Sequence, residues 1–132
     1  MNKIELILQE AKRDNWSYPK RFAMLKQAGV IKHTVRFIEE FDSIYETNEG
    51  SWQEPVFEEY FSASLSDTFS EDVIKSVLKE RSEGKRTYMQ LLEGLASGGV
   101  SHYIINMMDN TATYYNESED QYHQHAIPEW KE

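Results

Sequence analysis

One stretch of this chain occurs twice. Residues 17–49 and 87–119 align at a constant offset of 70 without a gap. Tyr18 falls on Tyr88, Leu25 on Leu95, Gly29-Val30 on Gly99-Val100, Tyr45 on Tyr115 and Glu49 on Glu119. Phe22/Leu92, Val35/Ile105, Phe37/Met107 and Glu39/Asp109 are conservative matches, and Ile4/Ile74, Leu8/Leu78 and Glu10/Glu80 carry the register back towards the N-terminus. The matches fall on apolar, aromatic and glycine positions, which points to an internal duplication. At 132 residues the chain is about one domain long, and half of it makes a small core, so the two copies are expected to share one.

Each copy reads helix, helix, strand, strand, strand. Ile4, Ile7, Leu8 and Ala11 recur at helical spacing over residues 3–13, with Asn2 as cap. A second helix starts at Ser17, carries Pro19 in its first turn and stops at Gly29, a residue that adopts the left-handed C′ conformation freely. Val30 opens a strand with His33, Val35 and Phe37 on one face. Residues 44–45 lie in a second strand, and a third runs over residues 52–57. The second copy starts near Ser70, breaks at Gly84, restarts at Thr87 with Gln90 as capping-box partner, and ends at Gly98-Gly99. Its strands cover Tyr103, Ile105 and Met107, then residues 111–115, then residues 121–127. Pro128 ends the last, and Trp130-Lys131-Glu132 trails it. The units span about residues 2–57 and 70–128 of a single domain, joined by a segment over 58–69 that reads equally as an extra strand or an ordered linker. The expected fold class is α+β: a two-layer domain with one antiparallel sheet covered by helices.

Charge narrows the partners. The net charge is −9, and it is uneven: residues 1–38 carry +5 and residues 39–80 carry −10. Only the N-terminal part could offer the positive surface a nucleic-acid backbone needs, and its Lys and Arg fall on the solvated sides of two helices. Nucleic acid is therefore not an expected partner. No cysteine is present, so disulfides and thiolate chemistry are excluded. The apolar run at residues 4–8 is short and holds Glu5, so no secretory signal is expected. No stretch approaches the roughly 20 apolar residues of a membrane span. A cytoplasmic location is expected.

The series Gly84, Tyr88, Gly99-Val100, Tyr103, Tyr114-Tyr115 and Ile127-Pro128 resembles a family of small bacterial and phage-associated proteins of unknown function, often labelled "phage envelope protein". The resemblance covers most of the chain. It implies no activity and brings no catalytic motif. The chain departs from the pattern after Tyr115, where residues 116–120 replace the usual glycine turn.

Three constellations could carry function. His123-Gln124-His125 places two imidazoles on one face of a strand, where they could meet one metal ion if His102 or Glu119 supplied a third ligand. Tyr45, Trp52, Tyr114, Tyr115 and Tyr122 form an aromatic set that could line a cleft between the units or the open sheet face; Trp52 aligns with Tyr122. The bland reading of the histidines is polar face residues on an exposed terminal strand, and that of the aromatics is half-buried cross-strand pairs that stabilise the sheet. The carboxylates Glu39-Glu40-Asp42 and Glu58-Glu59 sit in solvated turns and lack the contrasting environments of an acid–base pair. Phosphate loops and nucleophile elbows are absent.

The reading is a non-enzymatic binding or interaction protein of phage or prophage-related ancestry, holding a protein or small-molecule partner, with homodimerisation through sheet edges as a further expectation and no cofactor. The alternative is a metal-dependent enzyme using His123 and His125.

Overall fold

The computed structural model describes residues 2–130, so Lys131 and Glu132 of the trailing segment lie outside the described residues. Helix α1 (Lys3–Arg13) starts where the Asn2 side chain accepts the Glu5 N–H at 2.8 Å. Helix α2 (Tyr18–Gln27) is capped by Ser17 and has Pro19 in its first turn, where no N–H is needed. Three strands follow: β1 (Val30–Arg36), β2 (Asp42–Thr47) and β3 (Gly50–Glu54). The order then repeats as α3 (Glu71–Ser82), α4 (Tyr88–Ser97), β4 (His102–Asn106), β5 (Thr111–Tyr115) and β6 (Tyr122–Ala126). Thr87 and Gln90 form the reciprocal capping box at the start of α4.

The strands make one antiparallel sheet in the order β3-β2-β1-β4-β5-β6. At its centre β1 pairs with β4, and Thr34 lies opposite Ile104, its own mate at offset 70. Lys32 opposite Asn106 and Arg36 opposite His102 complete a register symmetric about that pair. Twofold symmetry between two units requires such a register.

The repeat is looser further out. The connection between β4 and β5 spans residues 107–110, one residue shorter than residues 37–41 between β1 and β2. Tyr45 therefore opposes His33, whereas Tyr115 opposes His102 and Tyr114 opposes Tyr103. Side chains alternate between faces, so a one-residue change reverses every assignment beyond it. Tyr114, not Tyr115, is the spatial counterpart of Tyr45. Trp52 opposes Tyr45 and His123 opposes Tyr114, so the counterpart of Trp52 is His123, not Tyr122.

One face of the sheet carries Val35, Phe37, Tyr45, Tyr103, Ile105 and Ala112, all buried against Phe22 and Leu25 of α2 and Leu92 and Leu95 of α4 in one core. Each fully buried leucine contributes about 1.5–3 kcal/mol to stability. The other face carries Lys32, Thr34, Arg36, Ile44, Ile104 and Tyr115, partly or wholly exposed. The close backbone approaches among helices are α1 on α2 and α3 on α4; none of comparable extent joins one pair to the other.

Residues 55–69 are an ordered crossover with no strand. The Tyr60 hydroxyl donates to the Phe37 carbonyl at 2.8 Å, Ser62 donates to the Ile38 carbonyl, and the Ser70 N–H reaches the Gly98 carbonyl at 2.9 Å. The segment presses on the end of α4, where Gly99 has φ +89° and a Cβ would lie 2.7 Å from the Thr68 carbonyl oxygen.

Candidate functional site

Tyr18 and Tyr88 are repeat mates on the first residues of α2 and α4. The Tyr88 hydroxyl meets that of Tyr103 at 2.5 Å. Burial raises the hydroxyl pKa of Tyr45, Tyr103 and Tyr114 and pushes that of Tyr88 up to about 12, the last against the hydrogen bond from Tyr103 and the charge of Arg21. All four therefore stay neutral donors at physiological pH. Tyr18 behaves differently: 42% of its surface is open, yet burial still dominates the upward shift of its hydroxyl.

Arg21 stands one turn into α2, with its guanidinium carbon 5.6 Å from the centroid of the Tyr18 ring. Its charge reaches the hydroxyls of Tyr45, Tyr18, Tyr103 and Tyr88. Among the described residues, its Nε is the one buried side-chain nitrogen or oxygen without a hydrogen-bond partner. No carboxylate of the described residues lies within 4.0 Å of its guanidinium. Below it, His33 stacks on Tyr45 with centroids 3.8 Å apart. The Ser43 hydroxyl donates to Glu54 at 2.8 Å, so it accepts from His33 Nε2 at 2.7 Å. Burial, then the charge of Arg21, holds the His33 pKa well below the usual histidine value. His33 is thus held neutral, buried between Tyr45 and Ser43.

The structure divides the aromatic set named from sequence. Tyr45, Trp52 and Tyr114 lie on the helix-covered face, with Tyr45 and Trp52 centroids 5.9 Å apart. Tyr115 and Tyr122 pair on the opposite face, 6.0 Å apart, beside His102. The open-face option and the cleft option each hold part of the set.

His123 and His125 do share a face, the helix-covered one, with ring centroids 6.3 Å apart. His123 Nδ1 lies 3.5 Å from Glu71, and His125 Nε2 lies 3.2 Å from the Tyr114 hydroxyl. Among the described residues no group of three His, Cys, Asp or Glu side chains is placed to hold a metal ion. His102 and Glu119, the candidates for a third ligand, meet each other instead. His102 Nε2 is 3.1 Å from Glu119 and its Nδ1 is 2.6 Å from the Ser101 hydroxyl. Burial and then Arg36 lower the His102 pKa, against the pull of Glu119. These contacts tie His102 to the turn over residues 116–120, where Glu119 holds a left-handed φ of +63°.

Two solvent-open hollows lie elsewhere. One of about 360 Å³ includes Arg36, Glu39, Glu40, Asp42 and Glu117; another of about 450 Å³ includes Ile4, Gly29, Glu49 and Trp52. Neither contains a buried unpartnered group. Sequence reasoning singled out neither Arg21 nor His33 as functional. Arg21 reads there as one more basic residue of an amphipathic helix, and only its place opposite the tyrosines distinguishes it.

Comparison with known proteins adds a family but no activity. The model of a family described as "Protein of unknown function (DUF1398)" matches residues 5–125. No curated protein matches the chain.

Proposed function

The chain belongs to the DUF1398 family, whose description assigns no activity, and on that premise we propose that it is a non-enzymatic protein that binds a small ligand in the cleft between its helix pairs. The carrying observation is Arg21: its Nε is buried without a hydrogen-bond partner among the described residues, and its guanidinium carbon lies 5.6 Å from the centroid of the open Tyr18 ring. Concave, mostly apolar sites with a few fixed polar groups hold small molecules. Tyr18 and Tyr88 supply the two rims and the half-buried Trp52 the β3 end, above the buried Tyr45 and Tyr114. Tyr115 and Tyr122, on the far face, have no part in it. Phage-related ancestry and a cytoplasmic location belong to the same proposal and rest on the sequence resemblance and composition.

Native mass spectrometry of the gently purified protein tests it. A co-purifying small-molecule mass is expected, and Tyr18→Ala with Trp52→Ala should lose it while the fold persists. Retention of that mass by the double variant, or ligand-free protein from every preparation, refutes the cleft.

A further inference from the structure

We propose that the cleft selects a ligand bearing a single negative charge, a carboxylate on a planar apolar body, and that Arg21 is the residue that reads it. This rests on the cleft proposal and adds the chemistry of the ligand.

The argument starts from an imbalance. A guanidinium presents five N–H donors in a planar fork that matches a carboxylate edge to edge. In a folded chain such a group is normally paired, because an unpaired charge at a desolvated place is costly. Here the Arg21 Nε is sealed from solvent and bonded to nothing among the described residues. Its neighbours do not answer it. Tyr18 offers a ring face, and the other tyrosines are held neutral by burial. The nearby carboxylate, Glu54, accepts from Ser43 and lies beyond ion-pair distance. His33, the remaining titratable group beneath it, accepts no proton at physiological pH.

The count of charges then fixes the class. One fixed cation and several neutral hydroxyl donors complement one negative charge. A phosphomonoester dianion would leave a second charge without a counterpart in a site of low dielectric. A carboxylate takes the fork and can accept from the Tyr18 hydroxyl. The rings of the open Tyr18 and the half-buried Tyr88 favour a flat body, since aromatic groups stack or meet edge to face.

The test uses the full chain and three probes of one shape: benzoate, the neutral benzamide, and phenyl phosphate. Titrations are followed by protein NMR in the wild type, Arg21→Met and Arg21→Lys. Benzoate is expected to bind at least about 10-fold more tightly than benzamide, the size of one charge-assisted contact. Arg21→Met should erase that preference by weakening benzoate alone, leaving benzamide within about twofold. Arg21→Lys, which keeps the charge and loses the fork, should fall between. Equal binding of benzoate and benzamide to the wild type overturns the charge inference and leaves the cleft standing. So does an Arg21→Met variant with unchanged benzoate affinity. Tighter binding of phenyl phosphate than benzoate overturns the carboxylate assignment. Failure of every probe up to about 10 mM overturns the cleft reading and this inference together.

Discussion

Replacing Arg21 by methionine should make the ligand-free protein more stable. Methionine keeps an unbranched apolar stem of similar reach along α2 and removes only the charged head. In the wild type that head leaves Nε buried and unbonded among the described residues. An unsatisfied buried donor costs about 1–3 kcal/mol, and the lower half of that range applies to a side chain that is only half-buried. Against it stands the contact with the Tyr18 ring, 5.6 Å from the guanidinium carbon, worth about 0.5–1 kcal/mol. The difference favours methionine by about 1 kcal/mol, which at this chain length raises Tm by about 4 °C. Urea unfolding of ligand-stripped protein, followed by tryptophan fluorescence, measures it; the slope should not change, because no new surface is exposed on unfolding. A variant less stable than wild type by 1 kcal/mol or more would refute the reasoning (about the worth of one net hydrogen bond). Arg21 would then be a structural group whose partners the fold already supplies.

Three further outcomes are expected. Gly29 and Gly99 are repeat mates, both left-handed, but only Gly99 meets backbone: Gly29→Ala should cost about 1–2 kcal/mol for its φ of +99°, and Gly99→Ala about 1–3 kcal/mol more for the collision with Thr68; equal losses in parallel denaturations would contradict the close approach. His33 and His102 both have lowered pKa values in the folded state, so the unfolded chain binds more protons once pH drops below about 6.5, and stability should fall from pH 7.5 to 5.5 by up to about 1.4 kcal/mol per histidine per unit. His33→Phe should remove about half of that slope, and an unaltered slope in this variant and in His102→Phe would show that neither histidine carries it. Added zinc should leave Tm within about 1 °C, because a bound metal would stabilise by mass action; a rise abolished in His123→Ala/His125→Ala would restore the metal-dependent reading.

Much of the fold was legible because its signals are local. Asn2, Ser17, Ser70 and Thr87 mark helix starts that the structure places at those residues, since a side-chain oxygen at that position satisfies an otherwise orphaned N–H. The alternation His33-Val35-Phe37 and Tyr103-Ile105-Met107 grouped residues that share a face, and the structure buries that face. The correspondence of Tyr45 with Tyr115 and of Trp52 with Tyr122 failed for a reason no local pattern shows. The turn before β5 is one residue shorter than its mate, and an identical residue happens to sit at the ungapped position. The extended reading of residues 58–69 was equally undecidable: the alternation of Phe61, Ala63 and Leu65 suits a strand, but the hydrogen bonds of Tyr60, Ser62 and Ser66 go to β1's end and to α4. Arg21 was not legible as a candidate because its neighbours at helical spacing, Tyr18 and Leu25, read as an ordinary packing face, and the sheet tyrosines near its charge lie far away in sequence.

On the cleft proposal, the repeated order of elements also accounts for a lopsided charge. Tyr18 and Tyr88 are preserved across the repeat, and Tyr45 and Tyr114 occupy matching places once the shortened turn is counted. These residues give the cleft two similar halves. Arg21 has Leu91 as its mate, and Leu91 is buried in the common core. His33 likewise has Tyr103 as its mate. Symmetric aromatic walls alone would accept a flat ligand in either direction. On the same proposal, one arginine on the α2 side would make the two directions unequal by the strength of a charge-assisted bond, so the difference between the two units would supply orientation where their likeness supplies shape.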